Sequence, residues 1–158
     1  MIDNLYIFNS SGKLLFSKNW KSQGSVEEDP VLVSGFLSAI WMFAKKIGSK
    51  GGIRSIQTDN NLLVGIASPT YNLLFVLVSE PNSDIGACKS LLTRVRQSFL
   101  QKYRTNLRND CDFTLEDCND WLENLEKIVE ETDIAPVESL MKRFLKDIVD
   151  NSKDERKE

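Results

Sequence analysis

Histidine does not occur anywhere in the 158 residues. Its absence removes every Ser–His and Cys–His nucleophile pair, the imidazole general base and the commonest zinc ligand. Cysteine is scarce, with Cys88, Cys111 and Cys118 standing in no CxxC or CxxH spacing. An odd set of that kind reads as buried thiols in a reducing compartment, with a Cys111–Cys118 disulfide as the alternative. Long hydrophobic runs are missing too. The longest apolar stretches, 31–33, 39–44 and 73–78, fall far short of the roughly 18 residues that suggest a membrane span, and the N-terminus has no basic, cleavable leader pattern. These absences argue against a hydrolase, a metalloenzyme and a membrane-spanning protein, and no cofactor is expected.

What is present is the composition of an ordinary globular chain: 41% hydrophobic, 9% aromatic and 27% charged residues. The net charge of −3 conceals an asymmetry. Residues 1–108 hold 13 Lys+Arg against 7 Asp+Glu, whereas 109–158 hold 7 against 16. The break at Asn109-Asp110 divides the chain into a core at 1–108, an acidic helical extension at 109–150 and a charged tail at 151–158 that is expected to fray.

Residues 2–9 and 13–20 are β-prone runs around Ser10-Ser11-Gly12, the pattern of a hairpin. Asp29 followed by Pro30 is a helix start. Over 31–47 the helical period places Val33, Phe36, Leu37, Ile40, Phe43, Ala44 and Ile47 on one face, expected to be the buried one. Three short runs follow, 53–58, 62–67 and 73–79, joined by turn-rich links into a meander. The last two are almost continuously apolar, as in a strand covered on both faces. Gly65 within one of them hints at a bulge or close backbone approach, or a plain packing accommodation.

A long helix over 85–107 carries Cys88, Leu91, Leu92, Val95, Phe99, Tyr103 and Leu107 as its stripe. Thr114 to Asp117 has the capping-box form and opens a helix reaching Glu131. Pro136 starts a last helix expected to face Val137, Leu140, Met141, Phe144, Leu145 and Ile148 inward. The order β-β-α-β-β-β-α with two further helices predicts an α/β (α+β) fold. A five-stranded antiparallel sheet has one helix on one face and the long helix on the other.

Few residues offer chemistry. Gly48-Ser49-Lys50-Gly51-Gly52 has a phosphate loop's composition, but it leaves a helix and enters a strand, the reverse of the required order. Arg94, Arg96, Lys102, Arg104 and Arg108 make one side of the long helix basic, yet a pI near 5.1 and the lack of interleaved aromatics speak against nucleic acid. Membrane attraction is expected to be peripheral at most. Candidate partner-binding residues are Ser38, Trp41 and Met42 on the first helix, with Arg54 and Ile56 on a run that would be an edge strand. Centring the buried face on Ile40 leaves Met42 opposite it and Trp41 at its margin, although Trp41 could fold over the sheet edge and Met42 could touch the last helix.

The hairpin YIFNSSGKLLFSKNW, the helix GFLSAIWMFAKKI, the strand ending NLLFVLVSE and the helix reaching FLQKYRTNL resemble, in that order, the longin domain. The likeness covers about residues 1–108, extends to stand-alone archaeal longin and roadblock-like members, and is reminiscent of adaptor small subunits over 109–150. It implies a non-catalytic cytoplasmic module, at most at the cytosolic surface of a membrane. Such a module acts as a scaffold or adaptor in vesicle-trafficking-like or small-GTPase-associated assemblies. Its partner would be a small GTPase, another longin-like subunit or a second copy of itself. The short last helix is not the heptad segment and anchor of a fusion-driving longin SNARE. The alternative is a profilin- or PAS-like sensory module whose pocket is lined by Phe75 and Tyr71, which ligand-induced stabilisation would reveal.

Overall fold

The computed structural model describes residues 1–21, 29–47, 53–108 and 115–156. Strands β1 (Ile2–Asn9) and β2 (Leu14–Asn19) form the expected hairpin. Gly12 adopts φ +89° at its turn, and the Asn9 side chain accepts from the backbone N–H groups of Ser11 and Lys13. Helix α1 (Pro30–Lys46) starts where sequence chemistry places it, the Asp29 carboxylate accepting from Val31 N at 3.0 Å. The edge strand β3 is short (Ser55–Gln57) and is followed by β4 (Leu62–Ser68), β5 (Leu73–Ser79) and α2 (Ile85–Arg108). A 3-10 segment, Leu115–Trp121, leads into α3 (Leu122–Glu130), and α4 (Val137–Glu155) follows.

All strand pairs are antiparallel, in the order β2-β1-β5-β4-β3. The central β5 is buried at all seven positions, so its continuous apolar run reflects two covered faces. On one face α2 and α3 build the main core, in which Phe16, Phe75, Phe99, Trp121, Leu125 and Val129 pack together. The Trp121 ring stands edge-on to Phe16 at 5.2 Å and to Phe99 at 5.1 Å, and its indole N–H donates to Ser98 Oγ at 2.9 Å. On the other face α1 covers a smaller cluster with Tyr6, Phe8, Leu74 and Val76.

Two helix faces differ from the sequence expectation. In α1 the buried residues are Ser34, Leu37, Ser38, Trp41 and Ala44, while Phe36, Phe43 and Ile47 point outward. The physical reason is close approach. Ser34 Oγ donates to Gly12 O at 3.1 Å and Ser38 Oγ to Ser10 O at 2.7 Å, tying the helix to the hairpin turn. Trp41 lies flat in the space that Gly65 leaves, because a Cβ there would stand 2.2 Å from its ring. Phenylalanines at this boundary would lift the helix off the sheet. In α4, Val137, Met141, Phe144, Leu145 and Ile148 are exposed rather than inward, and only Leu140 leans on the main core.

The tail expected to fray continues this helix to Glu155. The expected capping box at Thr114, the glycine loop 48–52 and Cys111 lie outside the described residues. Cys88 and Cys118 are both buried, and the Cys118 thiol donates to Leu15 O at 3.3 Å.

Candidate functional site

Helix α1 is held down by small residues and thereby presents its large ones. Val31, Leu32, Phe36, Met42, Phe43 and Ile47 are 53–72% exposed along its outward side. Scattered surface hydrophobics need no explanation, but several on one helix face form a patch of the kind that marks a contact surface. Beside it, Leu32, Val33, Phe36 and Leu37 of α1 meet Leu63 and Val78 of the sheet around an open apolar groove of about 530 Å³. Strand β3 closes that side of the sheet and has no strand beyond it among the described residues.

At the other end of α1 a second cleft, about 470 Å³, is lined by Trp41, Met42, Lys45, Arg54, Gly65 and Lys89, among others. Its described lining contains three cations and no carboxylate. Beyond the short β3, Gly65 N donates to Arg54 O at 3.3 Å, and the Arg96 guanidinium caps Ala67 O at 2.9 Å. The upper half of β4 is thus met by one backbone carbonyl and one guanidinium rather than by a continuing strand.

The five residues singled out in the sequence separate into two groups. Trp41, Met42 and Arg54 come together in the second cleft. Met42 and Arg54 are exposed, but Trp41 is only 3% exposed, so it is a wall of the cleft and not a spare surface residue. Ser38 is equally buried and its hydroxyl is engaged with the hairpin, while Ile56 is half-buried against the α1 cluster. The outward residues Leu32, Phe36, Phe43 and Ile47 were missed as surface residues, since the strongest apolar period was assigned to the core. A usable signal was present: Ser34, Ser38 and Ala44, spaced four and six apart, place small residues on one side of α1, and Trp41 on that side stands over Gly65 of β4.

On the basic side of α2, Arg94 pairs with Glu131 and the Lys102 ammonium donates to Asp120 O at 3.1 Å. Together with Arg96 on Ala67, three of its five cations serve contacts within the chain. Phe75, expected to line a sensory pocket, is fully buried with its ring 5.8 Å from Phe99. The space between sheet and α2 at that point is filled. Tyr71 borders a separate surface cleft with Leu107 and Arg108. Among the described residues no group of three or more Cys, Asp or Glu side chains is placed to hold a metal ion, and no helix is long and apolar enough to cross a membrane.

No family model and no curated protein matches the sequence. Solved structures do resemble it in shape. A Roadblock/LC7 domain from Streptomyces avermitilis aligns at 12% identity and a TM-score of 0.47, covering 63% of this chain and 86% of that one. MglB of Myxococcus xanthus aligns at 15% and 0.49, covering 67% and 79%. The mammalian SRP receptor aligns at 19% and 0.48, covering 82% and 96%. Hairpin, crossing helix, meander and long helix around a sheet ordered β2-β1-β5-β4-β3, with α1 on one face and α2 on the other, give the chain a longin-like fold.

Proposed function

We propose that the chain is a non-catalytic protein-binding module, a scaffold or adaptor that docks its partner on the outward face of α1 and the adjoining β3 edge. The observation that carries this reading is the row of large hydrophobics on α1 beside an apolar groove. The centres of protein interfaces are enriched in Phe and Met and depleted in charge, and this face carries no charge between Pro30 and Ala44. The longin resemblance of residues 1–108 supports a small GTPase or another longin-like subunit as the partner, in a GTPase-associated or trafficking-like assembly at a cytosolic site.

Binding of the purified chain to a panel of small GTPases, each loaded with GDP or a GTP analogue, tests the reading by calorimetry. Phe36→Asp and Met42→Asp are expected to weaken the complex at least about tenfold, as loss of one hot-spot anchor does. Equal affinity of both variants and the parent chain would exclude this surface. Trp41→Ala is unsuitable as a surface probe, because it empties the α1 layer.

A further inference from the structure

Helix α4 poses a question that α1 docking does not answer. Its base is fixed: Ser139 is buried, Leu140 packs against the main core, and the Arg143 guanidinium donates to Thr132 O at 3.4 Å. Residues 141–151 are then exposed without exception. Val137, Met141, Phe144, Leu145, Ile148 and Val149 are each 49–65% exposed. The spacing 137, 141, 144, 148 is the four-three-four step of a seam that meets another helix.

The outward face of α1 has the same step, in Leu32, Phe36, Ala39 and Phe43. Aligned in parallel, Leu32 meets Val137, Phe36 meets Met141, the small Ala39 faces Phe144, and Phe43 meets Ile148. The lengths agree as well, at 17 and 19 residues. Charge selects the direction. α1 ends in Lys45 and Lys46, and the second half of α4 holds Asp147, Asp150, Asp154 and Glu155. A parallel alignment brings those lysines to the acids, whereas an antiparallel one, with Phe43 on Val137, sets them at Ile134 and Ala135, where the base of α4 is already covered by its own core.

The molecule's own α1 is not the acceptor. It lies on the face of Tyr6, Phe8 and Val76, while Leu140 at the base of α4 is anchored to the opposite core. Two copies of α4 alone would offer about two heptads, too short for a stable pair of isolated helices. A bilayer is disfavoured because α4 carries acids and bases in near balance rather than an excess of lysine and arginine.

We infer that α4 of one chain docks in parallel on the outward face of α1 of a second copy, so that two chains exchange their C-terminal helices. The inference rests on α1 being a docking surface, but not on the nature of any GTPase. Sedimentation equilibrium of the full chain tests it, with Phe144→Asp and Phe36→Asp as variants and far-UV circular dichroism as the folding check. Both substitutions lie on exposed side chains. The expected result is a dimer of the 18.0 kDa chain at micromolar concentration, weakened at least tenfold by either variant and little further by both together. Re-pairing by charge provides a second arm: Lys45→Glu weakens the dimer, and Asp150→Lys restores it.

A monomeric parent chain overturns the inference. So does a dimer that Phe36→Asp weakens and Phe144→Asp does not, which would mean α1 pairing with α1. Phe144-dependent binding to phosphatidylserine vesicles with an unchanged association state overturns it too. Failure of the partner reading is distinguishable, because the monomeric Phe144→Asp chain leaves the α1 face uncovered, and its failure to bind any GTPase would refute only that reading.

Discussion

Replacing Gly65 by alanine puts the rotated packing of α1 to a quantitative test. The added Cβ would lie 2.2 Å from Cζ2 and 2.7 Å from Cη2 of Trp41, well inside van der Waals contact. The ring has little room to retreat, being 3% exposed and packed with Leu37, Leu74 and Val76. Overpacking of this kind costs about 1–3 kcal/mol, and the rigid indole places this case at the upper end. Trp41→Ala alone loses about 3–5 kcal/mol of burial. In that background the methyl group enters the vacated space, and Gly65→Ala becomes neutral or favourable by up to about 1 kcal/mol, since alanine suits a strand better than glycine. The two changes therefore couple by about 2 kcal/mol or more. Urea unfolding followed by far-UV circular dichroism reads all four corners of the cycle without depending on tryptophan emission. An equal effect of Gly65→Ala in both backgrounds would refute the close approach of ring and strand. So would a cost above about 2 kcal/mol for Phe36→Ala or Phe43→Ala in the monomeric Phe144→Asp background, because exposed positions shift stability by only about 0.5 kcal/mol.

Trp121→Ala is expected to cost about 3–5 kcal/mol, a large share of a typical domain's stability, because the ring is fully buried between Phe16 and Phe99. A chain cut after Arg108 would accordingly lose cooperative unfolding, and retention of a sharp urea transition would show that the core at 1–108 stands alone. Burial raises the Cys88 thiol above its ordinary value of 9.0, opposed by its hydrogen bond with Ser79, so its reaction with iodoacetamide should proceed only at the rate of opening. Labelling at the rate of an exposed thiol would contradict that. Burial also raises the Asp3 carboxyl above 3.8, partly offset by the Lys21 ammonium 3.9 Å away. In the window just above that ordinary value the native chain then binds more protons than the unfolded one, so this group's contribution to stability falls as pH rises. Asp3→Asn should remove that slope, and an Asp3-dependent gain in stability with rising pH would show that the ion pair prevails instead.

Much of the architecture was legible because it depends on local chemistry. The Asp29-Pro30 start, the Ser10-Ser11-Gly12 turn and the unbroken apolar run of β5 each specify their own conformation with little outside help. The stripe of α2 was also readable, since Cys88, Leu91, Leu92, Val95, Phe99 and Tyr103 face a wide core that accommodates any large apolar side chain. The α1 face was not readable from hydrophobic period alone. Its orientation depends on two hairpin carbonyls and on the missing side chain at Gly65, features more than twenty residues away on either side. The α4 face failed for a related reason. A period tells that a stripe will be covered, but not by which molecule, and Met141, Phe144 and Ile148 are exposed among the described residues. Of the site residues, Met42 and Arg54 are accessible, whereas Trp41 and Ser38 were selected by composition and turn out to be held by packing.

The two misread helices share one physical cause, and it bears on function. A helix can sit close to a sheet only if the residues between them are small or flat, and Ser34, Ser38, Ala44 and the Trp41 ring meet that requirement. Turning α1 to bury Phe36 and Phe43 would gain about 1.5–3 kcal/mol per ring in transfer free energy. It would also break two serine bonds to the hairpin, leave Gly12 O and Ser10 O without those donors, and open a void over Gly65. A part-buried acceptor left without its donor costs about 1 kcal/mol, up to about 3 where water cannot replace it, and the void adds its own penalty. The opposing terms are of similar size, so nothing inside the monomer favours hiding the phenylalanines. Their burial is realised only against a second surface, so association recovers the apolar free energy that folding leaves unused on this face. The same reasoning applies to α4, where the acids beyond Ile148 and the lysines that end α1 give the unused surface a direction as well as an affinity.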